Sequence, residues 1–338
     1  MRPEQRASVR PGTDVLPDSR SAPESHERAI PRTWRVAVGG LPYFGRKAAA
    51  LLSGEGWWAR YLETRGWRPD AALATLATAR QADVLYQLGG QIERGSRPHA
   101  LLTLVRRPCV MQWTGSDVLY ARSAIERGRV TERLRRGCTH LAGAPWLVEE
   151  LAALGITAHW TPHSAIDAPA TVVPLPDSIT VLAYLRAGRE RFYGLEAVRQ
   201  VATALPEVRV VVVGTDRLPG RVPPNVSVAG WVRDMAGVYA GATVLLRMTE
   251  HDGLAFMVQE ALAHGRYAVW NHPFPGATLA LDADQAVAGV RELYERWSTG
   301  HLMINEAGAA HVRERYNPRR IRDDLRHELL RAVRTRRG

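Results

Sequence analysis

The sequence predicts an α/β protein built as two parallel-sheet domains that face each other across a cleft. Three observations predict it. Short apolar runs alternate with helical patterns from Trp34 onward, a proline-rich stretch without periodicity interrupts them, and the same alternation then restarts. Strands of four to six residues separated by helices imply parallel β-α-β units. Such a sheet is covered on both faces, so its strands should read as continuous apolar runs, and these mostly do.

Residues 1–32 are rich in Pro, Ser, Arg and Glu, with Pro3, Pro11, Pro17, Pro23 and Pro31 spaced through them. That composition buries too little apolar surface to fold and predicts a disordered tail. The first domain is expected over 33–165, with strands at 35–38, 58–61, 83–87, 109–113, 139–142 and 158–161. Its helices are expected at 46–52, 70–79, 98–106 and 145–154. Pro162, Pro169, Pro174 and Pro176 mark the break, and 166–178 reads as the linker. The second domain is expected over 179–310. Its strands fall at 179–184, 209–213, 226–229, 243–247 and 267–270, its helices at 194–205, 235–241 and 254–264. After Asp282 the pattern is helical to the end. Over 311–338, Ile321, Leu325, Leu329 and Val333 recur at four-residue spacing among arginines. That pattern predicts a basic helix with its apolar stripe inward and its arginines solvated.

Composition narrows the function. Apolar residues make up 46% of the 338 and charged residues 23%, as in an ordinary globular protein. No apolar run approaches the roughly 18 residues of a spanning helix; the longest clear one, 208–214, is strand-sized and contains Arg209. The N-terminus shows no charged-then-apolar signal pattern, so a cytoplasmic location is expected. The net charge of +11 comes almost wholly from arginine, Lys47 being the one lysine. These charges are spread along the chain rather than gathered in one arm with interleaved aromatics. An anionic small molecule, or peripheral contact with an anionic membrane surface, fits them better than nucleic acid does. Cys109 and Cys138 each open an apolar segment and read as small buried thiols. Trp57, Trp58, Trp67, Trp113, Trp146 and Trp160 crowd the first domain; core packing explains them most simply, and a sugar-ring platform or a membrane-facing patch is the alternative. The histidines show no metal-ligand spacing, and neither a Gly-x-Ser-x-Gly turn nor a Walker loop occurs, which disfavours metalloenzyme, hydrolase and ATPase chemistry. Asp282-Ala283-Asp284 precedes a helical pattern and reads as an N-cap rather than a metal motif. Gly39-Gly40 after the first strand lets backbone approach a ligand, but the full dinucleotide fingerprint is missing.

The most informative stretch runs from Asp252 to Gly265. A strand ends, a polar turn of Thr249, Glu250, His251 and Asp252 follows, and a helix is expected to open at Gly253-Leu254. A helix N-terminus presents unpaired amides and a partial positive charge, which suit a phosphate. Glu260 falls about two turns on, on the face of residues 253, 256 and 257. Two acids so placed can hold hydroxyls of a nucleotide sugar. The spacing alone equally fits an Asp N-cap followed by a surface glutamate.

This stretch resembles the donor-site signature of the GT-B glycosyltransferases of family four, in which two glutamates with seven residues between them bracket a glycine-rich turn. Asp252 stands at the first acid position and Glu260 at the second, followed by Ala261. The segments 225–232 and 239–247 are similar to the family's base-side strand and turn and to its Tyr-x-x-Ala-x-Val strand. The resemblance covers roughly residues 35 to 320 and is strongest from 180 to 270. It implies two Rossmann-like domains, with a C-terminal helix crossing back to the first. It further implies transfer of a sugar from a nucleotide-diphosphate sugar to a glycan or lipid-linked acceptor, with retention and without a metal or other cofactor. By the same resemblance Asp252 and Glu260 orient the donor, while Arg186 and Arg191 with Gly253, Leu254 and Ala255 bind its diphosphate and sugar. Gly214, Trp231, Val232 and Glu260 face the base and ribose. Gly39, Gly40, Thr114 and Asp117 face the acceptor-side cleft. The family's Arg and Lys pair on the first loop of the second domain has no clean equivalent here, where Arg186, Arg189 and Arg191 compete, and with no lysine available the diphosphate clamp is expected to be arginine. Two departures stand out: the first acid is Asp rather than Glu, with Glu250 as a competitor, and Thr114 replaces the histidine of the family's His-Gly-Ser-Asp. Both would also fit a protein on this fold that binds nucleotide sugars or glycans with weakened chemistry.

Overall fold

The computed structural model describes residues 33–63 and 69–335. The expected tail at 1–32, Trp67 and the last arginines lie outside them. Two six-stranded sheets form the frame, and every neighbouring strand pair in them is parallel. The first holds β1 (Trp34–Gly40), β2 (Trp57–Tyr61), β3 (Val84–Leu88), β4 (Cys109–Trp113), β5 (Thr139–Ala142) and β6 (Ala158–Trp160), in the order β2-β1-β3-β4-β5-β6. The second holds β7 (Thr180–Tyr184), β8 (Arg209–Val213), β9 (Val226–Gly230), β10 (Val244–Arg247), β11 (Tyr267–Trp270) and β12 (Thr278–Leu279), in the order β12-β11-β10-β7-β8-β9. Strand order therefore reverses beside β1 in one sheet and beside β7 in the other. Crevices outside the carboxyl ends of the strands open at such points, β1/β3 and β7/β10, and ligands bind there.

Helices α1 (Pro42–Leu52), α2 (Pro69–Gln81), α3 (Arg97–Val105), α4 (Ser116–Glu126), α5 (Glu132–Gly137) and α6 (Trp146–Ala153) accompany the first sheet. Helices α7 (Leu195–Ala204), α8 (Met235–Ala240), α9 (Phe256–Ala263) and α10 (Ala283–Ser298) accompany the second. β3 and β4 are buried at every position, as strands covered on both faces must be. Asp282 caps α10 by accepting from the Gln285 amide at 2.8 Å. Residues 161–179 carry neither helix nor strand.

Several expectations need correction. α4 and α5 were not expected. The core face of α4 is Val118, Ala121 and Ala124, small side chains that write a faint periodicity, and α5 buries only Leu134. The helical run after Asp282 is three helices, continuing as α11 (Glu306–Arg315) and α12 (Pro318–Thr335). Asn305 caps α11 through the Gly308 amide at 3.0 Å, and Pro318 opens α12 behind Asn317, which accepts from the Arg320 amide at 2.9 Å. The last helix thus begins at Pro318, not 311. Cys138 is only half-buried, whereas Cys109 is buried.

α12 crosses back onto the first domain, against α1, β3 and β4. Its apolar stripe of Ile321, Leu325, Leu329 and Val333 is buried as expected. Arg326 is not solvated: it is buried, donates to the Leu52 and Gly54 carbonyls at 3.0 and 2.7 Å, pairs with Glu55 at 2.7 Å, and lies over the Trp57 ring. Arg326→Met keeps the bulk but leaves two carbonyls without a donor, each costing about 1–3 kcal/mol if it stays dry. A lower urea midpoint is the expected result; an unchanged midpoint would show that water replaces the guanidinium.

Candidate active site

The loop joining β10 to α9 carries the first predicted acid. β10 ends on Arg247, whose Nε donates to Asp252 Oδ2 at 2.6 Å; the two side chains are only 12% and 14% exposed. The expected helix start at Gly253-Leu254 is corrected: α9 begins at Phe256, behind Ala255 in an extended conformation. Its orphan amides therefore begin at Phe256. Gly253, Leu254 and Ala255 are buried instead in contact with the first domain and the core.

The reason lies across the cleft. A Cβ on Gly253 would collide with the Thr114 carbonyl, and one on Gly115, whose φ is +136°, would collide with the Gly253 amide. Two glycines let these backbones touch. Trp146 Nε1 donates to the Asp252 carbonyl at 2.9 Å, and the His251 ring meets Glu150 at 2.8 Å. Trp146 also stacks on His272, with ring centroids 4.2 Å apart. The loop between β10 and α9 is thereby docked on α6 and on the β4–α4 turn.

On the first-domain side, a cavity of about 820 Å³ opens at the β1/β3 switch point. Gly40, Gln87, Thr114 and Asp117 line it, and Asp252 and Gly253 close it from the second domain. Asp117 builds this wall. Its carboxylate accepts from the amides of Gly90 at 2.6 Å, Thr114 at 2.9 Å and Gly115 at 2.8 Å. Burial pushes its pKa up, and those amide bonds oppose the rise. Asp117 is thus committed to the turn that presents Thr114 and Gly115. The space a Cβ would need on Gly39 and Gly40 is taken by Gln87 and the Leu88 carbonyl of β3, so these glycines admit the neighbouring strand, and Gly40 lines the cavity as well.

Glu260 stands apart from the cavity. Tyr239 donates its hydroxyl to Glu260 Oε2 at 2.7 Å. Burial raises the carboxyl pKa, while the Tyr239 hydroxyl and the nearby Lys47 ammonium pull it down. Lys47 comes from α1, so the single lysine does reach this cleft from the first domain, where the sequence offered only arginine. Arg186 and Arg191 are exposed on the loop between β7 and α7. Tyr184, at the end of β7, feels both Arg186 and Arg247. Gly214 follows β8 and donates its amide to the Gly230 carbonyl at 2.8 Å. Trp231 is 78% exposed just beyond β9, and Val232 packs partly against the core. Glu250 is exposed. None of Arg247, Trp146, Glu150, His251, Tyr239 and Lys47 was assigned to the site from sequence. A charged residue closing an otherwise apolar strand was the one available signal, and it pointed to Arg247. Among the described residues no group of three or more His, Cys, Asp or Glu side chains is placed to hold a metal ion, and no helix is long and apolar enough to cross a membrane.

No known family profile matches the chain, and no curated protein matches it in sequence. Solved structures do match in shape. HepE from Anabaena in complex with UDP-glucose is 12% identical, with a TM-score of 0.60 over 87% of this chain and 99% of that one. Sucrose-phosphate synthase from Thermosynechococcus elongatus is 13% identical, with a TM-score of 0.62 over 89% and 99%. A glycosyltransferase from Rickettsia africae is 10% identical, with a TM-score of 0.61 over the same shares. Two Rossmann-like domains, the cleft between their switch points and the returning C-terminal helix place this chain in the GT-B fold that these glycosyltransferases share.

Proposed function

We propose that the protein is a glycosyltransferase that moves a sugar from a nucleotide-diphosphate sugar to a glycan or lipid-linked acceptor. One observation carries the reading. The loop bearing Asp252 and the helix bearing Glu260 lie at the β7/β10 switch point, and Asp252 closes a cavity built by the facing domain. A donor would lie along the carboxyl ends of the second sheet, its diphosphate beside Arg186, Arg191 and the start of α9, its ribose toward Glu260 and its base toward Gly214 and Trp231. Fixed donors and cations beside a departing diphosphate stabilise the charge that develops on it. The acceptor would enter the first-domain cavity. By the sequence resemblance, transfer retains configuration and uses no metal; the structural neighbours bound to UDP-glucose and UDP support the nucleotide-sugar class.

Incubation with a panel of nucleotide sugars, with and without glycan and lipid-linked acceptors, tests this through release of the nucleotide diphosphate. Acceptor-dependent release is expected. Binding without turnover across the panel would replace the enzyme by a nucleotide-sugar binding protein.

Peripheral membrane contact belongs to the same proposal, motivated by the +11 net charge. The chain is expected to float with anionic liposomes at low salt and to be released at high salt, where charges are screened within a few ångströms. Salt-independent binding to neutral liposomes would contradict it.

A further inference from the structure

Arg247 is the last residue of β10, at the switch point, and nearly buried. Its guanidinium lies 5.7 Å from the Tyr193 ring centroid and close enough to Tyr184 to act on its hydroxyl, so aromatic groups of β7 and the following loop surround it. Its Nε holds one carboxylate oxygen of Asp252 at 2.6 Å, and among the described residues no hydrogen bond reaches the other oxygen, Oδ1. Asp252 lines the cavity between the domains. A short aspartate has little reach of its own. Where its carboxylate points is set by whatever grips it.

We propose that Arg247 is a positioning residue that fixes the Asp252 carboxylate through Oδ2 and leaves Oδ1 to a hydroxyl of the sugar being transferred. The inference rests on the donor-site reading of Asp252 given above. An arginine suits the task because a guanidinium is planar and permanently charged, so its grip is directional at any working pH. Asp252 pairs with Arg247 on β10 and acts, with His251 and Glu150, on His272 beyond β11, while His251 itself meets Glu150 on α6. Arg247 is the one bonded to the carboxylate.

The test uses the full chain as wild type, Arg247→Lys, Arg247→Met, Asp252→Asn and the Arg247→Met/Asp252→Asn double variant. With the donor that turns over, Arg247→Met is expected to lower kcat about 30-fold or more with KM changed less than about threefold, the signature of a contact made in the transition state. Arg247→Lys should recover most of that loss. The double variant should be no worse than Asp252→Asn alone, since a residue acting only through another adds nothing once its partner is neutral. It also keeps the measurement interpretable if Arg247→Met folds poorly, because it leaves no unpaired buried charge. In urea unfolding, the cycle of wild type, the two single variants and the double variant should show that Arg247 and Asp252 are coupled. Multiplicative losses in the double variant, or an unchanged kcat for Arg247→Met, overturn the inference while leaving the transferase reading intact. If no nucleotide sugar turns over, that reading fails by itself, and additive shifts of the urea midpoint in the Arg247→Met, Asp252→Asn and double variants overturn this inference separately.

Discussion

Glu260→Ala is expected to cost a hundredfold or more in transfer while leaving the fold in place. The carboxylate is half-buried on the cleft face of α9, with the Tyr239 hydroxyl on Oε2 at 2.7 Å and Lys47 nearby. Tyr239 itself is buried and fixes the carboxylate, so Glu260 is held in place before any ligand arrives. Each hydrogen bond from a ligand hydroxyl to a charged acceptor contributes about 1.5–3 kcal/mol, and two of them account for a loss of at least a hundredfold. Stability should suffer less, because Tyr239 loses an acceptor next to a cleft that water can enter. Burial holds the Glu260 carboxyl above the usual glutamate value, so if the carboxylate is the working form, activity falls as pH drops through that raised value. The acid limb should therefore lie above the ordinary glutamate range. Activity of the alanine variant within about twofold of wild type would reduce Glu260 to a partner of Tyr239 and remove the donor-site assignment.

The fold was legible where both faces of a strand are covered. β3 and β4 are buried along their whole length, and an uninterrupted apolar run is the mark of such a strand. α4 was not legible, because Ala121 and Ala124 fill its core face with side chains too small to stand out. The start of α9 was misplaced for a tertiary reason. Gly253 looked like a helix-opening glycine, yet its task is to let the Thr114 carbonyl approach from the other domain. The same limit governs the site. The spacing of Asp252 and Glu260 is local and could be read. Trp146 and Glu150 meet the β10–α9 loop from about a hundred positions away, and Lys47 approaches Glu260 from α1, so no local pattern records these contacts. Arg326 misled for the opposite reason: arginines on every side of it promised solvent, but it lies buried over Trp57.

Asp252→Asn is expected to lose most transfer activity, about 30- to 100-fold, whereas Glu250→Gln should stay within about threefold. Both acids lie near the first acidic position, and counting back from Glu260 favours Asp252 on spacing. The structure supplies a different electrostatic reason from the one the sequence suggested. α9 starts at Phe256, beyond the turn, so the helix end does not anchor Asp252; Arg247 does, at 2.6 Å. Asp252 also lines the cavity, while Glu250 is exposed and uses its amide to hold the Phe192 carbonyl at 2.9 Å. Asparagine fits the space but cannot balance the Arg247 charge, so a stability loss of about 1–3 kcal/mol should accompany the loss of activity, below the 3–5 kcal/mol of a fully buried pair because both side chains keep some exposure. Measuring each variant's activity beside its urea midpoint separates the two effects: at a temperature where Asp252→Asn remains folded, its deficit must persist. Activities in the reverse order would shift the donor loop by two residues, and Gly253 would then be only a spacer against Thr114 rather than part of a sugar site.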